Sequence, residues 1–203
     1  MRLGIFGGSF DPVHTGHLIL AEQCREAMRL DEVWFMPTAT APHKQQQNPA
    51  NVQQRCEMLR LAVYGNSAFT VSTLEVDRGG VSYTVDTLSE IAASYDHAEL
   101  FFLMGADSLR ELPTWRQPEQ ILALATPVVV RRGGEPEPDF SPLAAFCSAE
   151  RLQEIKNAQV PMPLIDISST TIRRDCSLGH TIRYRVPRAV EQYISTHELY
   201  RSP

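Results

Sequence analysis

Nowhere in its 203 residues does the chain hold an apolar run near the ~20 positions that a membrane-spanning helix requires. Its first residues pass into a strand pattern without the charged and apolar regions of a secretory leader, so a cytoplasmic location is expected. Cysteine is scarce: Cys24, Cys56, Cys147 and Cys176 are widely scattered, without the close pairs of a zinc site. That scatter excludes a structural zinc framework and favours reduced thiols over disulfides. Basic residues are outnumbered, 19 Lys and Arg against 24 Asp and Glu, leaving a formal charge of −5. Since non-specific affinity for nucleic acid comes from neutralising phosphates, neither nucleic acid nor a membrane is expected as a partner. There is also no internal repeat, no Ser-His-Asp arrangement, and no carboxylate cluster that demands a dedicated metal cage.

What is present reads as an ordinary globular protein, 43% hydrophobic and 21% charged. A chain this long can bury about 70% of its unfolded surface. One domain over 1–203 is therefore expected, with a smaller helical portion from about 168 to 203. Strand patterns at Leu3–Phe6, Val33–Met36, Phe69–Leu74, Leu100–Met104, Pro127–Val130 and Pro163–Ile167 alternate with helical ones. Alternation of this kind predicts an α/β fold: a Rossmann-like, open, mostly parallel twisted sheet with helices on both faces. The first helix is predicted over Thr15–Met28, burying Leu20, Cys24, Ala27 and Met28. Asn51 is placed to cap the second helix and Thr84 to start another. Pro37–Pro49 and residues 133–142, rich in proline and glycine, are expected to be exposed connections.

The most informative segment is Gly7-Gly8-Ser9-Phe10-Asp11-Pro12-Val13-His14-Thr15-Gly16-His17-Leu18. It follows a strand and opens a helix, the arrangement in which backbone N–H groups and the helix N-terminus favour an anion. Gly7 and Gly8 are expected to take positive φ and admit a phosphate close to the backbone. His14 and His17, three apart on the first turn, project to one side and supply two donors to one phosphate. A helix terminus is worth roughly 0.3–1 kcal/mol to an anion and a charged hydrogen bond roughly 1.5–3 kcal/mol, so the imidazoles should dominate.

A second cluster, Ser168-Ser169-Thr170, starts a predicted helix and by itself does no more than cap it. Arg173 lies one turn on and brings a forked cation to the same terminus. With the net charge negative, a polyanion needs local positive charge, for which His14, His17, Lys44, Arg55, Arg131, Arg132, Arg173 and Arg174 are the candidates. Several of these follow the carboxyl ends of strands, where open parallel sheets bind ligands.

The long histidine segment resembles the His-x-Gly-His nucleotidyltransferase superfamily and, within it, the bacterial nicotinate-nucleotide adenylyltransferases. Four further segments agree in order with that family: Pro42-His43-Lys44, Ser82-Tyr83-Thr84-Val85-Asp86-Thr87-Leu88, Met104-Gly105-Ala106-Asp107-Ser108-Leu109 with Trp115 behind it, and Ile167-Ser168-Ser169-Thr170-Thr171-Ile172-Arg173. The resemblance implies adenylyl transfer from ATP to nicotinate mononucleotide, with Mg²⁺ arriving on the nucleotide. His14, His17, Lys44 and Arg173 would be the catalytic group. Gly7, Gly8, Ser9, Phe10, Ser168, Ser169 and Thr170 would contact substrate, Gly105 and Asp107 the adenosine, and Thr84 and Trp115 the nicotinate nucleotide. Phosphopantetheine adenylyl transfer, cytidylyl transfer and a non-catalytic nucleotide-binding module are the rival readings, and a homo-oligomer is compatible with the sequence.

Overall fold

The computed structural model describes residues 1–39, 50–132 and 136–201. Lys44, with Pro42 and His43, lies outside the described residues. In chain order the elements are β1 (Arg2–Gly8), α1 (Thr15–Ala27), β2 (Glu32–Pro37), α2 (Val52–Val63), β3 (Phe69–Val71), α3 (Leu74–Arg78), α4 (Thr84–Ser94), β4 (Glu99–Gly105), α5 (Ala106–Glu111), α6 (Pro118–Leu124), β5 (Ala125–Arg132), α7 (Ala149–Asn157), β6 (Gln159–Met162), α8 (Ser169–Ser177) and α9 (Arg188–Thr196). The strands form one six-stranded sheet in the order β3-β2-β1-β4-β5-β6. The expected α/β, Rossmann-like architecture is thus the observed one. Among the described residues no helix is long and apolar enough to cross a membrane.

The chain divides into two compact units. The first comprises Met1–Phe6, Leu20–Trp34 and Ser82–Leu164. Within it β4 pairs in parallel with β1 (Leu3 opposite Leu100) and with β5 (Leu103 opposite Val128), and β5 with β6 (Val130 opposite Val160). Leu100 to Met104 are all buried; a strand covered on both faces needs apolar side chains at every position, which is why this run does not alternate. At the base of the unit Arg151 donates to the backbone carbonyls of Leu122 and Ala125, tying α7 to the connection between α6 and β5.

The second unit comprises Gly7–Ile19, Phe35–Val81 and Ile165–Pro203. Its core holds a chain of rings, Phe10 against Phe35 at 5.7 Å and Phe35 against Phe69 at 5.2 Å, with Met58, Leu59, Val190 and Ile194 buried from α2 and α9. Asn51 caps α2 as expected: its side chain accepts from the Gln54 N–H while the Gln54 side chain accepts from the Asn51 N–H.

Several expectations are corrected. The sixth strand is Gln159–Met162, and Pro163–Ile167 carries no strand; β6 lies at the sheet edge, where Pro161 removes no needed donor. The third strand stops at Val71, because Leu74 opens α3. On α1 the buried positions include Ala21 and Cys24 while Ala27 is exposed, a stripe that satisfies helical spacing as well as the expected one. The cysteines are not among the corrections: expected as reduced thiols, all four are free, Cys24 and Cys56 buried and Cys147 and Cys176 partly so. Burial raises each of their pKa values, that of Cys24 to about 12.

Candidate active site

In the second unit residues 9–14 link β1 to α1, and α1 begins at Thr15, where the histidine spacing places it. Thr15 fixes that start, since its N–H and its hydroxyl both donate to the Arg185 carbonyl at 2.9 Å. The His14 and His17 rings lie stacked, centroids 3.6 Å apart and 23° from parallel. Gly16 makes room for this: a Cβ there would sit 3.1 Å from His14 Nδ1.

The tautomer of His17 follows from its partner. The His14 backbone N–H donates to His17 Nδ1 at 3.2 Å, so that nitrogen is unprotonated and the neutral ring carries its hydrogen on Nε2. Desolvation, and then the neighbouring His14, hold the His17 pKa well below its ordinary value. The ring is therefore neutral at physiological pH, with Nδ1 secured to the backbone and the proton on Nε2.

Positive φ does not fall where the sequence suggested. Gly7 and Gly8 finish β1 in extended form, and the left-handed residue of the loop is Phe10, at φ 47°. Gly8 is needed for packing instead, because a Cβ on it would meet the Phe10 ring at 3.0–3.3 Å. Phe10 is 1% exposed and its ring lies edge-on to His17 at 5.1 Å. Its side chain supports the histidine from beneath, leaving only its backbone to meet a ligand.

The loop carbonyls turn toward basic and hydroxyl donors. Arg55 on α2 gives Nη1–H to Ser9 O at 2.7 Å and Nη2–H to Thr38 O at 2.8 Å. On α8, Arg173 gives Nη1–H to Asp11 O at 2.7 Å, and the Ser169 hydroxyl donates to Pro12 O at 2.9 Å. With carbonyls engaged by α2 and by α8, this backbone is held in a single course past the histidines. Arg55, counted from sequence among the cations open to a polyanion, is instead 1% exposed and spent on carbonyls. Burial lowers its pKa and the Asp11 carboxylate opposes that effect.

Ser168 is the N-cap of α8, accepting from the Thr171 N–H at 3.1 Å and sharing a 2.7 Å hydrogen bond with the Thr171 hydroxyl. Thr170 accepts from Arg173 Nη2 at 3.4 Å. Of the hydroxyl cluster Ser168 does the capping its composition suggests, while Ser169 and Thr170 turn to Pro12 O and to Arg173, one turn along the helix. Two further members of this region escaped the sequence reading. Asp11 stands inside the quoted segment, whereas Tyr200, whose hydroxyl donates to Asp11 Oδ1 at 2.6 Å, has no local pattern to mark it.

The remaining candidates belong to the first unit. Gly105 ends β4 and is the N-cap of α5, with nothing within 4 Å of the Cβ it lacks. Asp107 lies exposed in the first turn of α5, paired with Arg110. Thr84 opens α4. Trp115 is half-buried, edge-on to Phe102 at 5.9 Å. Of the other sequence cations, Arg131 pairs with Glu137, and Arg174 is exposed beside Asp175 at 3.5 Å; the Arg132 side chain lies outside the described residues.

Comparison with known proteins shows the family. A cytidylyltransferase-like family profile matches residues 5–175. The chain is 47% identical over 201 residues to a probable nicotinate-nucleotide adenylyltransferase of Thermomicrobium roseum, covering 99% of this chain and 92% of the relative. It is likewise 47% identical over 203 residues to that of Thermus thermophilus, covering 99% and 100%. Among solved structures, the nicotinic acid mononucleotide adenylyltransferase of Plasmodium falciparum complexed with NaAD shares the fold at a TM-score of 0.74 and 17% identity, covering 98% of this chain and 97% of that one. On these matches the chain belongs to the cytidylyltransferase-like family, among the nicotinate-nucleotide adenylyltransferases.

Proposed function

We propose that this protein transfers the adenylyl group of ATP to nicotinate mononucleotide in the cytoplasm, forming nicotinate adenine dinucleotide and releasing pyrophosphate. The observation that carries the reading is the stacked His14–His17 pair, with His17 held as a neutral Nε2–H donor behind a backbone-fixed loop. The attacking group is the 5′-phosphate of nicotinate mononucleotide, which is already anionic at neutral pH, so no general base is required. Its oxygen bonds to the α-phosphorus as the bond to the β-phosphate oxygen breaks. Catalysis then consists of aligning two anions and stabilising charge on the oxygens that gain it.

In this reading His14 and His17 donate to the transferring phosphate, and Arg173 and Lys44 neutralise the triphosphate and the departing pyrophosphate. The backbone of Gly7, Gly8, Ser9 and Phe10 and the first turn of α8, from Ser168 through Ser169 and Thr170, supply N–H groups to phosphate oxygens. Gly105 and Asp107 meet the adenosine, Asp107 accepting from ribose hydroxyls, while Thr84 and Trp115 take the nicotinate nucleotide, the indole by stacking. Among the described residues no group of three His, Cys, Asp or Glu side chains could hold a metal ion. In this reading Mg²⁺ would arrive on the phosphate oxygens of the nucleotide with water completing its shell, and would neutralise part of their charge.

The decisive assay supplies ATP and Mg²⁺ with nicotinate mononucleotide, nicotinamide mononucleotide or phosphopantetheine in turn and follows pyrophosphate. Release is expected to be fastest with nicotinate mononucleotide. Faster release with phosphopantetheine, or none with any acceptor, overturns the reading.

A further inference from the structure

Tyr200 and Asp11 lie 189 positions apart in sequence and are joined by the 2.6 Å hydrogen bond from the phenol to Oδ1. Asp11 is 2% exposed, and its Oδ2 has no hydrogen-bond partner among the described residues. Tyr200 is thus the one side chain that holds this carboxylate by a hydrogen bond among them. The segment carrying it is bent for the purpose: Glu198 and Tyr200 adopt left-handed backbone, φ 50° and 63°, on either side of buried Leu199. Conformations of that kind cost ordinary residues energy and persist where the surroundings enforce them.

The loop that Asp11 belongs to has three of its carbonyls engaged by two helices, Ser9 O by Arg55 of α2, and Asp11 O and Pro12 O by Arg173 and Ser169 of α8. The Asp11 side chain is the remaining handle, and only Val13 separates Pro12 from His14. The Asp11 charge also offsets that of the buried Arg55 guanidinium, so a displaced carboxylate would loosen two of the loop's anchors together.

We infer that Tyr200 is a positioning residue for the transfer reaction: by holding the Asp11 carboxylate it fixes the Ser9–Pro12 backbone and, through it, the placement of His14. The inference rests on the function proposed above. A phenol that served only as packing could lose its oxygen without consequence, whereas one that sets the course of the loop could not.

Tyr200→Phe removes that oxygen and nothing else. Steady-state kinetics with ATP and nicotinate mononucleotide, beside a thermal melt, are expected to show kcat reduced about 10- to 100-fold, the scale of an ångström-sized misplacement. KM for both substrates should stay within about threefold, because most of the proposed substrate contacts lie outside this loop. Combined with Asp11→Ala, Tyr200→Phe should add less than about twofold, since the two act through one bond. A Tyr200→Phe enzyme with wild-type kcat, or with its loss confined to KM, overturns the inference while leaving the proposed activity standing. So does a loss that disappears once rates are corrected for the folded fraction. Wild-type protein that releases no pyrophosphate overturns both.

Discussion

Arg55 donates to the carbonyl of Ser9 at 2.7 Å, tying a charged side chain of α2 to a loop 46 positions earlier. Replacing it by Met fills much of the volume but leaves Ser9 O and Thr38 O without their donor and removes one of the cations near Asp11. Breaking such a buried arrangement from one side typically costs about 3–5 kcal/mol. By contrast Arg60, paired with Glu57 at 2.7 Å on the exposed face of the same helix, should cost under about 1 kcal/mol on replacement by Ala. Urea unfolding of Arg55→Met and Arg60→Ala gives the comparison; equal losses would show that the buried guanidinium is not an anchor.

On the proposed reaction, His17→Ala removes one donor from the reacting phosphate. Turnover should fall by roughly 10²–10³, the scale for a lost transition-state donor, with KM for ATP changed far less. Because the His17 side chain is only partly buried, the melting temperature should move little. Single-turnover pyrophosphate release, which isolates the chemical step, makes the measurement.

The depressed pKa of His17 has a defined sign in the stability of the protein. The unfolded imidazole titrates near 6.5 and the folded one well below it, so between those values the unfolded chain binds a proton the folded chain refuses. Stability is unaffected by this group above about pH 6.5, declines as pH falls below it, and levels off beneath the folded pKa. Denaturant melts from pH 8 to pH 5 should show this decline in the wild type and less of it in His17→Asn. Parallel profiles in the two proteins would contradict the assignment.

Gly8→Ala tests the packing under the histidines. The new methyl would meet the Phe10 ring at 3.0–3.3 Å, and that ring is hemmed in by His17 and Phe35. Overpacking of this degree should destabilise by about 1–3 kcal/mol and lower kcat, since the displaced ring carries His17 with it. Calorimetry and initial rates read the two effects separately.

Local signals were legible and distant ones were not. The continuous apolar run of β4, the capping residue Asn51 and the histidine spacing on α1 each depend on a few neighbouring residues, and each appears as the sequence suggests. Pro163–Ile167 misled because Ile165 and Ile167 alternate like a strand, while true β6 is disguised by Pro161, which a sheet edge tolerates. The left-handed residue proved to be Phe10 rather than either glycine, since its ring is fixed by core partners from β2 and α1. Arg55 and Tyr200 were illegible for the same reason: their partners stand 46 and 189 positions away, and no periodicity encodes a contact at that range.

The raised pKa values of the thiols carry a chemical consequence. With Cys24 at about 12, roughly one molecule in 10⁵ presents that sulfur as thiolate at neutral pH. Peroxide and alkylating reagents attack the ionised form, and burial disfavours that form at Cys56, Cys147 and Cys176 as well. Burial thus makes Cys24 and Cys56 poor nucleophiles, and their sulfurs serve as small apolar filler in the interior.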